Sequence, residues 1–111
     1  MVRINVAKLA DVIVVERKVF RSGSTLVFTI PSMIHVPLEV FKPKIKDSYI
    51  VYQPSKEAVN TVRLRVLGKS KNTVTKGLTI PRDMAKTINV KVGDKVTVII
   101  DKRKWEITVA K

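Results

Sequence analysis

The sequence contains no cysteine and a single histidine, His35. Without thiols it has neither a disulfide framework nor a thiolate metal site. This is compatible with the cytoplasm, and we predict a cytoplasmic location. Apolar residues never run beyond four in succession, so no segment is predicted to span a membrane. Lys8 and Asp11 interrupt the apolar residues near the N-terminus, which argues against a secretory signal.

Sequence motifs of catalysis are also missing. The chain has no HExxH, no GxSxG and no phosphate-binding loop. His35 has no obvious partner, so a structural role is favoured over a catalytic one. Asp47 and Asp94 are interpreted as residues of equivalent turns, where the carboxylate accepts bonds from nearby backbone N–H groups. We therefore predict no enzymatic activity, no cofactor and no metal site.

Acidic residues are scarce beside basic ones. The 111 residues include 22 Lys and Arg against 9 Asp and Glu, a net charge of +13. Such an excess favours a polyanionic partner, nucleic acid first. Residues 1–60 hold a net charge of +4 and residues 61–111 a net charge of +9, so the second half is predicted to supply more of the attraction. Abundant Lys, Val and Ile with a single Gln favour a heat-adapted source.

A strand, a short helix, a turn and a second strand are predicted over residues 75–98. Leu78–Ile80 forms a strand that runs into Pro81, whose fixed φ suits the first turn of a helix. The helix is predicted at Arg82–Ile88, and Asn89 closes it in a left-handed conformation. Further predicted segments are a turn at 92–95, a strand at 96–100, a hairpin turn at 101–104 and a strand at 105–109.

Strands also dominate the prediction upstream. The predicted strands lie at 12–20, 25–30, 48–53 and 57–67, with loops at 21–24 and 68–71 and turns at 46–47 and 54–56. Ser32–His35 has room for only a turn or so of helix, because Pro37 disfavours helix at Val36. The expected fold is mainly β with short helices.

The two halves of the sequence repeat one another. Thr29–Pro31 recurs as Thr79–Pro81 at an offset of 50 residues, and at that offset Val14 falls on Leu64. Further on, Asp47 is matched to Asp94 at an offset of 47. The predicted units are an N-terminal arm at 1–11, a first repeat at 12–60 and a second repeat at 61–111.

The two repeats are predicted to share one core. A unit of about fifty residues is too small to bury a good core alone, so the two should interlock in one compact domain. The residues expected in the shared core are Ile30, Ile50, Ile80, Val96 and Val98. Trp105, Tyr49, Tyr52 and the three Phe are also expected to pack inside, which counts against stacking on single-stranded nucleic acid.

Basic residues gather just before the same loop in both repeats. In the first repeat they are Arg17, Lys18 and Arg21, and in the second they are Arg63, Arg65, Lys69, Lys71 and Lys76. Arg82 and Lys86 lie on one side of the predicted helix, where they can contact phosphate. Ser22, Ser24 and Asn72 can add neutral hydrogen bonds. A solvated strand face remains the alternative for any single one of these residues.

These motifs resemble the AbrB/SpoVT/MazE superfamily of swapped-hairpin DNA-binding domains. The segment GLTIPRDMAKTINVKVGDKVTV at 77–98 is similar to the family's strand, TIP, basic short helix, GD and strand, and RSGSTLVFTIP at 21–31 resembles the MazE-like variant. The first copy departs from the pattern, since Lys46 replaces the Gly of GD, Pro37 shortens the helix and Ser32 replaces a basic residue. We therefore expect the first copy to contact DNA less strongly.

The resemblance implies a small double-psi-type barrel in which two copies exchange hairpins as a pseudo-dimer. It also implies that the loop before TIP lies along the DNA major groove, with Arg21, Ser22 and Ser24 from one copy and Lys69, Lys71, Asn72 and Lys76 from the other. The leading hypothesis is a regulator of transcription that binds double-stranded DNA. An antitoxin with a toxin partner, or a non-specific architectural DNA-binding protein, remains an alternative. A homodimer or higher oligomer is expected to form through the N-terminal ten residues.

Overall fold

Two antiparallel sheets form the body of the protein. The computed structural model describes residues 11–32, 34–57 and 59–111. Strands make up 56% and helix 6% of it, which confirms the prediction of a mainly β fold with little helix. One sheet curls into a half-barrel, and buried side chains of both sheets join a single core.

The elements follow one another along the chain with short connections. They are β1 (Val12–Lys18), β2 (Phe20–Ser22), β3 (Thr25–Ile30), β4 (Val40–Lys46), β5 (Tyr49–Pro54), β6 (Val62–Arg63), β7 (Arg65–Lys69), β8 (Val74–Ile80), α1 (Arg82–Thr87), β9 (Lys95–Asp101) and β10 (Glu106–Ala110). No helix in the described ranges has the length and apolar character that crossing a membrane requires.

The strand order places segments from the two halves of the chain side by side. The larger sheet has the order β1-β9-β10-β5-β4-β6, and the smaller has the order β2-β3-β8-β7. Two hairpins, β4–β5 and β9–β10, therefore meet in the middle of the larger sheet, and β1 and β6 form its edges. In the smaller sheet β3 and β8 are the central strands.

The chain passes from the larger sheet to the smaller one at Val19 and again at Leu64. Both residues are buried, and each is the single residue between two strands of different sheets. The Val19 N–H donates to the Asp94 carbonyl at 2.8 Å, and the Leu64 N–H donates to the Glu39 carbonyl at 2.6 Å. Val19 and Leu64 therefore lie at similar points between the two sheets, whereas Val14, which the sequence matched to Leu64, lies within β1.

The predicted shared core is confirmed. Ile30, Ile50, Ile80, Val96 and Val98 are all at most 3% exposed and lie in one cluster. Val96 and Val98 are both buried because every second residue of a strand points to the same face, and in β9 that face is the core side. Phe28, Phe41 and Tyr52 are buried in the same cluster and Trp105 packs against it, whereas Phe20 and Tyr49 are half-buried.

Tyr52 ties the two sheets together. Its hydroxyl donates to the Thr79 carbonyl of β8 at 2.9 Å, although Tyr52 itself belongs to β5 in the larger sheet. Its ring centroid lies 5.6 Å from that of Phe28 in a tilted arrangement, a geometry that aromatic pairs favour. Burial raises the pKa of the Tyr52 hydroxyl, so it stays a hydrogen-bond donor.

The helix closes as its sequence predicts. Asn89 has a φ of 59°, its N–H donates to the Lys86 carbonyl, and the Val90 N–H donates to the Ala85 carbonyl. This pair of bonds defines a Schellman motif, in which a left-handed residue satisfies the last carbonyls of the helix. The single turn expected after Pro31 is also present, with the Ile34 N–H on the Pro31 carbonyl at 3.0 Å.

The long strand predicted at 57–67, with a kink near Asn60, is not a continuous strand. Asn60 takes a left-handed conformation with a φ of 58°, which Asn tolerates better than most residues. The strand begins only at Val62 and breaks at Leu64, where the chain changes sheets. β7 then continues to Lys69, so the loop lies at 70–73 rather than at 68–71.

A strand that the sequence did not predict, β4, runs through Pro43. Proline has no N–H to offer a neighbouring strand, so it is tolerated mainly at sheet edges. The partner strand β6 pairs only with Val40 and Phe41, which leaves the Pro43 backbone on an unpaired stretch of the sheet edge, although the residue itself is buried. Asp47 consequently lies in the β4–β5 turn, whereas Asp94 directly precedes β9. The predicted equivalence of these two turns is therefore wrong.

The N-terminal arm predicted at 1–11 falls outside the described residues except for Asp11. The oligomer contact that was predicted for the first ten residues falls outside them as well.

Gly77 allows β8 to approach its neighbours closely, and this can be tested by substitution. A Cβ at Gly77 would lie 2.5 Å from Leu67 Cδ1 and 2.6 Å from the Phe28 carbonyl oxygen, whereas a Cβ at Gly68 meets nothing within 4 Å. We expect Gly77→Ala to lower the free energy of unfolding by about 1–3 kcal/mol or more, because the backbone must shift. Gly68→Ala is the matched control in urea denaturation. Equal losses in the two variants would contradict the close approach.

Candidate nucleic-acid interface

The pairing of β3 with β8 creates two similar clefts. The two strands are antiparallel, with Phe28 opposite Leu78, Leu26 opposite Ile80 and Ile30 opposite Lys76. The start of each strand therefore lies beside the end of the other. A cleft of about 510 Å³ opens at each of these two places.

The first cleft lies where the start of β3 meets the end of β8, and we call it the α1 cleft. It carries a concentration of positive charge. Its cationic lining residues are Arg21, Arg82, Lys86 and Lys91, and its other lining residues include the hydroxyl groups of Ser24, Thr25 and Thr79. No Asp or Glu lines it. Arg21 comes from the first half of the chain and the other three cations from the second, so the cleft exists only because the halves interlock.

Local structure explains why these cations face outward. Ala85 and Ile88 of the helical segment are buried, so Arg82 and Lys86, one turn apart, lie on its exposed side. Lys91 follows the Schellman motif. On the other side of the cleft the Thr25 hydroxyl donates to the Ser22 carbonyl at 2.9 Å, which holds the tight turn between β2 and β3.

The carboxylate of Asp94, three residues beyond Lys91 in the chain, is engaged elsewhere. It accepts the Lys91 backbone N–H at 2.9 Å and forms an ion pair with Lys111 Nζ at 3.3 Å. The backbone hydrogen bond from Lys91 is the main cause of the lowered pKa of Asp94, and Lys111 adds to it. The cationic surface of the α1 cleft therefore stays largely uncompensated within the described residues.

The second cleft, the Pro31 cleft, is less charged. It is lined by residues of the connection after β3, by Leu64 and by the start of β8, namely Ile30, Pro31, Ser32, Ile34, His35, Val36, Leu64, Asn72, Thr73, Val74 and Lys76. Among the described residues, Lys76 is its single Lys or Arg, and none of them that line it is acidic. Asn72, Thr73 and Ser32 provide neutral hydrogen-bonding groups. His35 is exposed, in keeping with the absence of any partner expected from the sequence.

The β7–β8 hairpin presents a second group of predicted residues. Lys69, Lys71 and Asn72 are exposed at its tip, where the Ser70 N–H donates to the Thr73 carbonyl at 2.9 Å. Six residues of β8 separate Val74 from Ile80, which is roughly 20 Å at ~3.3 Å per residue. The structure thus separates these residues from Arg82, although the sequence had grouped them together.

Three of the predicted arginines are less available to a ligand than the sequence suggests, namely Arg17, Arg63 and Arg65. Arg63 lies 3.7 Å from Glu39 in an exposed ion pair, which contributes little stability. Arg17 and Arg65 are half-buried, and Arg17 Nε and Arg65 Nε and Nη2 are buried without a hydrogen-bond partner in the part of the chain that the structure describes. Their role in binding stays a prediction.

Lys18 lies directly opposite Lys95 in the pairing of β1 with β9. Both side chains are exposed, and like charges in this position destabilise a sheet. The next residue, Val19, accepts a bond from the Gly93 N–H at 2.8 Å, which joins this lysine pair to the turn beside the α1 cleft. Lys95 and Lys91 were not among the predicted site residues, because only the strand register reveals their neighbours.

Comparisons with protein-family models, with curated proteins and with solved structures found no match to this chain.

The lowered pKa of Asp94 predicts part of the acid sensitivity of the fold. Because the folded pKa lies below the ordinary value of 3.8, the ionised group stabilises the protein above that pH, and this contribution disappears as the pH falls through the folded pKa. Urea denaturation between about pH 5 and pH 2 should show a smaller loss of stability for Asp94→Asn than for the wild type. Parallel curves for the two proteins would contradict this role of Asp94.

Proposed function

We propose that the protein is a regulator that binds double-stranded DNA, built from two copies of an AbrB/SpoVT/MazE-type swapped-hairpin unit. The observation that carries the proposal is the α1 cleft, where four cations from both halves of the chain line one surface without an acid. The exposed Lys18–Lys95 pair adds to it. A polyanion relieves such repulsion, and a phosphate backbone supplies closely spaced charges along its length.

Strand registers support an internal two-fold relation between the copies. At an offset of 50, Phe28 corresponds to Leu78, and these two residues lie opposite each other in β3 and β8. At an offset of 57, Val51 corresponds to Thr108, and these two lie opposite each other in β5 and β10. When a two-fold axis relates two antiparallel strands, the residue beside the axis lies opposite its own counterpart. Both pairs show this arrangement.

The exchange of hairpins has similar support. The hairpin β9–β10 from the second half pairs with β1 from the first, and the hairpin β4–β5 from the first half pairs with β6 from the second. The Asp94 and Glu39 carbonyls accept equivalent bonds from Val19 and Leu64. This relation matches β4 to β9 at an offset of 55, which replaces the offset of 47 expected from the Asp residues.

A duplex suits this surface better than a single strand. The large aromatic side chains Phe28, Phe41 and Tyr52 are fully buried, so they cannot serve as stacking platforms for unpaired bases. The α1 cleft and the tip of the β7–β8 hairpin are roughly 20 Å apart. On a duplex this spans about six base pairs at ~3.4 Å each, so both groups can contact one site.

Salt dependence should reveal which cations contact phosphate. We expect the triple variant Lys69→Ala/Lys71→Ala/Lys76→Ala, and separately Arg21→Ala/Arg82→Ala/Lys86→Ala, to weaken duplex binding by tens of fold at ~0.1 M salt. Each triple should flatten the slope of log K against log salt by about three, because each lost phosphate contact removes about one. Fluorescence anisotropy with a labelled duplex measures both quantities.

The matched control is Lys44→Ala/Lys46→Ala/Lys104→Ala. It removes the same charge from exposed residues at the hairpin turns of the larger sheet, and none of them lines either cleft. This control should change the affinity and the slope much less. If all three triples weaken binding equally, the attraction follows net charge alone, and the assignment of the interface fails.

Selection from a random duplex pool at two salt concentrations tests for regulation. A sequence-specific regulator should enrich a defined motif, most clearly at the higher salt, because non-specific phosphate binding falls steeply with salt. A pool that binds but shows no enrichment at either concentration would instead favour an architectural DNA-binding protein.

A further inference from the structure

We infer that the protein binds an asymmetric duplex site in one orientation, with the α1 cleft on one half of the site and the β7–β8 hairpin on the other. This inference rests on the proposed function, because it concerns how the same surface meets its DNA. Its grounds are two structural differences between positions that the strand registers make equivalent.

The first difference is the connection that follows each TIP strand. After β8 it has fourteen residues (81–94) and contains α1, whereas after β3 it has nine residues (31–39), and those that the structure describes form no helix. At the offset of 50, Ser32 stands where Arg82 stands, and Val36 where Lys86 stands. Counting only residues that the structure describes, one cleft is lined by four Lys and Arg residues and its counterpart by Lys76 alone.

The second difference is the hairpin that precedes each TIP strand. β2 and β3 join through a two-residue turn, with Ser22 opposite Thr25. β7 and β8 have a register irregularity between Val66 and Gly68 and join through a four-residue loop. Compared with the first hairpin, they form one further residue pair next to the loop, Lys69 with Val74. The second hairpin therefore extends further from the sheet, and it presents exposed Lys71 and Asn72 at its tip.

The two ends are suited to different parts of a duplex. A concave cleft with four cations fits the negative charge of a phosphate backbone, which carries no sequence information by itself. A narrow, protruding hairpin can enter a groove, and the Asn72 amide offers both a donor and an acceptor, the pairing that reads adenine in the major groove. The α1 cleft therefore holds the backbone at one end, and at the other end Asn72 contacts base edges while the neighbouring lysines of the hairpin contact phosphate.

This division of roles has a consequence for the symmetry of the target. A palindromic duplex offers the same groups to both halves of a two-fold symmetric protein. Turning this protein by 180° on such a site would exchange the cationic cleft with the Pro31 cleft, and the long hairpin with the short one. Both orientations would bind a palindrome equally, but in each of them one end of the protein would face a half-site that suits the other end. Because the two ends differ, the best site has two unlike halves and is bound in one orientation.

The absence of cysteine from the sequence allows a direct test by affinity cleavage. An iron chelate that cuts DNA is attached to Val92→Cys, on the rim of the α1 cleft, or to Val74→Cys, beside the hairpin loop. Both positions are partly exposed, and neither is a proposed DNA contact. The probe is a duplex selected from a random pool and end-labelled. Each protein should cut one end of the site at least tenfold more than the other, and the two proteins should cut opposite ends.

A second measurement guards against a label that disturbs binding. Hydroxyl-radical footprints of unlabelled protein should lose protection at one end of the site in the Arg21→Ala/Arg82→Ala/Lys86→Ala variant, and at the other end in the Lys69→Ala/Lys71→Ala/Lys76→Ala variant. Cleavage by each probe at both ends, or by both probes at the same end, overturns the inference while leaving duplex binding intact. A protein that binds no duplex in either assay overturns the proposed function, and the inference with it.

Discussion

The antiparallel contact between β3 and β8 is the interaction on which the rest of the structure depends. It joins Phe28 to Leu78 at the centre of the smaller sheet, and both side chains are fully buried. Burying a side chain of this size contributes about 1.5–3 kcal/mol, but only if both halves of the chain are present, since each half is too small to bury its own apolar face. Gly77 lets β8 lie close to β3 and Leu67. The hydrogen bond from the Tyr52 hydroxyl to the Thr79 carbonyl connects the β3–β8 pair to the larger sheet.

The same contact decides where the charges meet. Because β3 and β8 are antiparallel, the turn before β3 lies beside the helix after β8, which brings Arg21 to Arg82 and Lys86. The register of β1 with β9 then adds the opposed pair of Lys18 and Lys95. Like charges placed together destabilise a fold by a small amount each, and here the destabilised positions coincide with the surface that we propose for DNA binding. The apolar core below them is continuous and tolerates this repulsion.

Much of the asymmetry of the molecule comes from the connection at 31–39. It is five residues shorter than the connection at 81–94 and contains Pro37, and its described residues make one turn at Ile34 and no helix. The core is nevertheless maintained, since Val36 is buried. In the proposed repeat, the apolar contacts are thus retained while the two ends diverge in charge and shape. The ends are free to diverge because exposed positions carry few packing constraints.

The sequence by itself determined the features that depend on near neighbours and on average composition. The β-branched alternation of β9, the Asn89 closure of the helix and the apolar set that includes Ile30 and Ile80 could all be predicted, because periodicity and turn chemistry act over a few residues. Only the tertiary structure decided that β4 passes through Pro43 at a sheet edge, that Asp47 and Asp94 occupy different turns, and that Arg82 lies with Arg21 rather than with Lys69. These features depend on which distant strands pair and in which register, and such contacts leave no local periodicity in the chain.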